Sequence, residues 1–386
     1  TKKVFGLDTQ PGVQRDGTVL DKNYYSDGKW VRFQRGRPRK IAGYREIVNT
    51  LAGPSRGIYL DPQGPFNVVF NGYSDGLQKL PINNLGIGSG IEDFTLTGFI
   101  PNADNLWQFD SEFDSGGSSQ QLLLAHPGQN LSDIANTVDT SVLAGDITGT
   151  TVSPIGIFTV AGTMDSATPN QFTLATANAQ IGAGQLVTVS SGSVTLPSPT
   201  YVVSIVGTTV TLSNSGTLTG TQSVTLQFDN QIQVSGGVVV LHPYVFVYGN
   251  NGLIKNCAAG NINDWVSADA NETNVAATKI VKGLPVRGGS NAPSGLFWSL
   301  DSLIRVSYTP TTVSVGGTTS TFYWRYDIIS SQSSIMSSSS VIEYDGIYYW
   351  IGVDRFMLYN GVVKEIPNNM NQNYFFDNLK IGRAHV

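Results

Sequence analysis

The sequence is short of the residues that most catalytic and metal sites need. It has a single cysteine, Cys257, and three histidines among 386 residues. One cysteine excludes an internal disulfide and any cysteine-built metal cage, and it fits assembly in a reducing compartment. Charged residues make up only 13% of the chain against 40% hydrophobic, so disorder is excluded and a large core can form. No apolar run is long enough for a bilayer. The best, GVVVLHPYVFVYG at 237–249, is interrupted by His242 and Pro243 and falls short of the ~20 residues a span needs. The opening TKKVFGLDTQPG has no apolar signal core, which predicts assembly in the cytoplasm.

Helical periodicity is also nearly absent. Short alternating runs bounded by Gly, Asn, Asp and Pro recur along the whole chain instead, and they predict an all-β fold. Five hairpins share one shape, at 66–80, 105–134, 244–257, 295–308 and 346–361. The last three begin 51 residues apart. A hairpin repeated at ~40–50 residues cannot bury its faces alone, so the repeat predicts β-propeller blades, with an irregular sandwich as the other arrangement. Extended stretches at 273–286 and 320–328 are expected to supply further blade strands. The Ser-rich run 330–340 reads either as a linker or as a narrow strand or loop near the propeller axis, and the second is preferred.

One stretch differs in composition. Residues 136–229 contain no Lys, Arg, His or Trp and are rich in Thr, Ser, Val and Gly, which reads as a small β-sandwich inserted between two blades. The expected domains are a basic segment over 1–50, the opening portion of the propeller over 51–135, the insert over 136–229 and the closing portion of the propeller over 230–380. The ending IGRAHV (381–386) matches a translated sequencing adapter and is expected to replace a natural continuation.

The net charge of −5 hides an asymmetry. The first fifty residues hold 11 basic and five acidic residues, net +6, and the rest hold 12 and 23, net −11. The basic patch Arg32, Arg35, Arg37, Arg39 and Lys40 can bind nucleic acid or the acidic body of a neighbouring copy, and the second is preferred.

Chemistry is sparse. His126 and His242 both stand in His-Pro pairs at strand ends and read as turn residues, and His385 lies in the adapter-like end. No HxxxH, CxxC or DxDxDG spacing occurs, so neither metal nor cofactor is expected. The loop LGIGSGIED at 85–93 lacks the following helix that a phosphate site requires. Acid pairs for glycoside hydrolysis could come only from Asp110, Glu112 and Asp114, or from Glu343, Asp345 and Asp354. Asp345 and Asp354 lie in turn sequences. SDGKW at 26–30 has the wrong spacing for a sialidase Asp-box and occurs once. The chain is therefore expected not to be an enzyme.

The order of 244–265, 294–309 and 328–368, together with DGKWVRFQRGRPRKIAGYRE at 27–46, resembles the tail nozzle or tail hub proteins of short-tailed bacteriophages. The resemblance spans about 60% of the chain, and the inserted β-domain departs from it. It implies a virion tail protein, assembled in the host bacterial cytoplasm, whose copies, typically six, form a ring. That ring would sit below the portal and adaptor, retain and then conduct genomic double-stranded DNA without sequence specificity, and anchor a fibre or needle. Tyr73, Trp265 and Trp324 are candidate partner contacts beside the basic patch, with core packing as the other reading. A glycan-binding propeller or fibre-associated protein is the alternative function.

Overall fold

The computed structural model describes residues 10–16, 23–43, 46, 51–63, 66–83, 88, 90–104, 106–113, 121–128, 142–147, 149–287, 292–316, 318–367 and 371–379. The adapter-like end 381–386, Asp114, most of 85–89 and the start of the expected insert, 136–141, lie outside the described residues. The chain forms two compact units, Thr50–Ser334 and a second that joins Thr1–Asn49 to Ile335–His385. The division falls inside the Ser-rich run, which forms a loop with no strand.

The larger unit holds four antiparallel four-stranded sheets whose strands follow chain order, the blade unit of a β-propeller. The first has β1 (Gly57–Gln63), β2 (Phe66–Tyr73), β3 (Gly76–Ile82) and β4 (Glu92–Asp93). The second has β5 (Gln108–Phe113), β6 (Gln121–His126), β7 (Leu143–Asp146) and β8 (Ser153–Pro154). After the inserted domain, the third has β15 (Gly237–Leu241), β16 (Tyr244–Tyr248), β17 (Leu253–Asn256) and β18 (Asn271–Asn274). The fourth has β19 (Ile280–Pro285), β20 (Ser294–Ser299), β21 (Leu303–Val315) and β22 (Thr318–Ser330).

The first strands of successive blades touch, β1 to β5, β5 to β15 and β15 to β19. A flat four-stranded sheet has two faces to bury, and it buries them against its neighbours. Phe70, Phe94, Trp107 and Leu123 fill the space between the first two blades. Leu124, Ile155, Val245, Val247, Cys257 and Trp265 fill the next, and Phe246, Tyr248, Phe297, Ile304 and Trp324 the third. The 51-residue spacing is a spacing of second strands, since Tyr244 opens β16, Ser294 opens β20 and Ile347 opens the equivalent strand of the fifth sheet.

The inserted domain is β9 (Ile157–Asp165), β10 (Thr168–Leu174), β11 (Leu186–Gly192), β12 (Thr200–Val206), β13 (Thr209–Leu212) and β14 (Thr221–Asp229). The small β-sandwich expected here closes into a barrel, in the order β9-β10-β13-β12-β11-β14. Closure leaves no open edge, and β-bulges at Met164/Asp165 and Val189/Ser191 supply the bends. Phe172, Leu226 and Phe228 fill its interior. The barrel starts at Ile157, not near 136, because β7 and β8 complete the second blade first. Its entry and exit lie together: Ile157 pairs with Asp229, and the Asn230 amide donates to Gly156 O (2.9 Å) and Asn263 O (3.2 Å).

The smaller unit holds a hairpin, β-A (Val31–Gln34) with β-B (Arg37–Lys40), and a fifth four-stranded sheet, β23 (Val341–Tyr344), β24 (Ile347–Ile351), β25 (Phe356–Tyr359) and β26 (Val363–Glu365). A short helix, α1 (Gln372–Asn378), follows. Its first N–H groups, from Asn373 and Tyr374, donate to the carboxylate of Asp16 at 3.1 and 2.8 Å. The Arg15 guanidinium lies 4.8 Å over the Tyr374 ring. The early chain thus caps a helix more than 350 residues later. Among the described residues no helix is long and apolar enough to cross a membrane.

Candidate functional site

The sequence VRFQRGRPRK alternates in character, and the hairpin β-A/β-B sorts it onto two faces. Arg32 stands opposite Arg39 and Gln34 opposite Arg37. One face therefore carries Arg32, Arg37 and Arg39, while Val31, Phe33, Pro38 and Lys40 take the other. Phe33 packs on Tyr25 with ring centroids 5.6 Å apart. The two-residue turn Arg35-Gly36 has φ of 50° and 75°, the left-handed pair a tight hairpin turn requires.

All five basic residues are exposed, and among the described residues none has a salt-bridge partner. Guanidiniums directly opposite one another repel, and a lone two-stranded hairpin is marginal in water. This face is built for an anionic surface. Trp30, 68% exposed beside it, has a φ of +57°. Sequence reasoning passed over Trp30 in favour of other aromatics, although its place one residue before the basic strand was the available signal.

The three aromatics singled out from sequence lie elsewhere. Trp265 is 6% exposed, and its Nε1–H donates to Ile262 O at 2.8 Å. Trp324 is 7% exposed and meets Tyr244 and Phe246 edge-on at 4.9 and 4.8 Å. As partner contacts both are corrected to core residues, because neither can reach another chain without opening the core. Tyr73 is half-buried, and its carbonyl accepts from Trp107 Nε1 at 2.9 Å.

A second polar group lines β5, where alternation puts Gln108, Asp110 and Glu112 on one face towards β15 and β19. Gln108 Nε2 donates to Gly236 O (2.7 Å) and Val281 O (3.0 Å), and its Oε1 accepts from Tyr248 Oη (2.7 Å). A Cβ on Gly237 would lie 2.6 Å from that amide, so only glycine lets Gln108 reach across. Asp110 accepts the N–H of Val240 (2.7 Å) and of Ser111 (2.9 Å). Burial nevertheless raises its carboxyl to about 6, and Lys282 opposes that rise. Burial also lowers the Lys282 ammonium, against the pull of Asp110.

Glu112, 4% exposed, accepts from Phe113 N–H (2.8 Å) and contacts His242 Nδ1 at 2.9 Å. The buried His126 is bonded on both ring nitrogens, to Val234 O (2.8 Å) and from Gly128 N–H (2.9 Å). Burial pushes the Cys257 thiol up to about 12, which makes it unreactive. Glu343 accepts the N–H of Gly346 at 2.7 Å, and Asp354 pairs with Arg355 at 2.8 Å. These acids brace turns and blade joints. Among the described residues no three His, Cys, Asp or Glu side chains are grouped to hold a metal ion.

No protein-family model matches the chain, and no curated protein matches it.

Proposed function

We propose that this chain is a structural subunit of a short-tailed phage tail, one copy of a ring, six-membered as the resemblance implies, below the portal and adaptor. The ring retains and conducts the genome and anchors a fibre or needle. The observation that carries the assembly step is the unpaired Arg32, Arg37 and Arg39 face on a chain whose remaining residues are net −11. An acidic body repels phosphates and lets a duplex slide, so the hairpin grips an acidic neighbour or the adaptor in preference to moving DNA.

Electron-microscope projections of the purified protein are the direct test, and they are expected to show closed rings with an axial opening wide enough for a duplex. Compact particles without a channel would overturn the reading. A triple variant Arg32→Glu, Arg37→Glu, Arg39→Glu is expected to sediment as a monomer with unchanged melting. Raising salt is expected to loosen wild-type rings, since exposed charges are screened beyond ~10 Å at 0.1 M. Rings that persist in the triple variant would remove the hairpin from the contact.

A further inference from the structure

The strands β21 and β22 each run 13 residues, far longer than their neighbours. The adjacent β20 pairs with β21 only as far as Ser307. Past that point β21 and β22 pair only with each other, from Thr311 opposite Phe322 to Val315 opposite Thr318. Five pairs at ~3.3 Å each make an arm of roughly 16 Å.

The arm has two faces. Thr312, Thr321, Ser314 and Thr319 form one, with hydroxyl pairs at 3.4 and 2.9 Å. The other continues the side of β22 that carries the buried Trp324, and there Val313 is 42% and Phe322 60% exposed. The core-facing side of a blade thus runs on into solvent with its apolar residues uncovered among the described residues. Its root is stiff. Tyr308 stacks on Tyr323 at 6.3 Å and meets Trp324 at 5.3 Å, so little ordering is lost when the arm is covered.

Exposed edge strands are ordinarily guarded by charge, yet residues 306–324 contain no Asp, Glu, Lys or Arg. That absence points to the occupant. On a chain net −11 outside its first fifty residues, copies repel one another except where a surface is basic or uncharged, and the arm is the uncharged surface. It also offers only about ten residues, fewer than the 20–30 a side of a stable interface, so it works beside a second contact.

We infer that the arm lays its Val313 and Phe322 face on an adjoining copy of this chain. The inference rests on the ring reading above, with the basic hairpin as the second contact. The full chain carrying Val313→Glu and Phe322→Glu is expected to sediment as a monomer while melting like the wild type, and Thr319→Glu on the hydroxyl face is expected to keep the assembly. A photo-crosslinker replacing Phe322 is expected to give adducts between chains, which keeps the test open should the double variant fold poorly. Rings unaffected by the double variant, or crosslinks confined within one chain, overturn the arm contact and leave the ring standing. A wild-type chain that is monomeric throughout overturns both.

Discussion

Replacing Trp324 with alanine is expected to destabilise the protein by about 3–5 kcal/mol, the usual cost of truncating a buried tryptophan. The indole is 7% exposed and wedged edge-on against Tyr244, Phe246 and Tyr308, between the third and fourth blades. Its Nε1–H is buried without a hydrogen-bond partner. Trp324→Phe therefore loses volume but no hydrogen bond and should cost clearly less. Trp30→Ala provides the contrast. Trp30 is 68% exposed, and surface substitutions of that kind stay within about ±0.5 kcal/mol, so its effect should appear in assembly and not in unfolding. Denaturant unfolding of the three variants distinguishes a core residue from a contact residue. A Trp324→Ala protein as stable as the wild type would return Trp324 to the surface.

The placement of Trp324 shows what a sequence can and cannot disclose here. In TFYWRYD the strand alternation sets Trp324 against the exposed Arg325, so an inward-facing indole was legible. Phe322 obeys the same alternation and is nonetheless exposed, because β22 outruns the blade, and strand length carries no marker in residue type. The blades were legible for the opposite reason: Gly and Asp turns recur at a fixed interval, and second strands fall on it. The insert was legible by composition but not in its limits or closure. The outer strands β7 and β8 share its uncharged residues, and a barrel and a sandwich alternate alike until register decides which strands meet. The two-faced basic hairpin could be read from VRFQRGRPRK directly. The polar face of β5 could not, since Gln108 and Asp110 find their partners more than 120 residues away.

That face gives the second large effect. The Asp110 carboxyl titrates at about 6 in the folded protein against 3.8 ordinarily, with burial as the main cause. The folded state thus holds this proton more tightly than the unfolded chain does. Asp110 costs no stability below about pH 4, costs progressively more as pH rises from about 4 to about 6, and costs a constant amount above that. A two-unit displacement corresponds to about 3 kcal/mol at most.

Asp110→Asn removes the titration. Relative to the wild type, the variant should therefore gain about 2–3 kcal/mol between pH 4 and pH 7, read from urea midpoints at each pH. Comparing the two proteins cancels the other carboxylates. Adding Lys282→Met to both shows how much of the slope is shared with the facing ammonium. Stability curves that stay parallel across this range would mean that Asp110 ionises as freely as a surface aspartate. If the slope appears, it locates a joint, because Asp110 on β5 bonds to β15 and faces Lys282 on β19. Ionisation there weakens the meeting point of three blades, while the outer strands, which hold no part of that contact, keep their pairing.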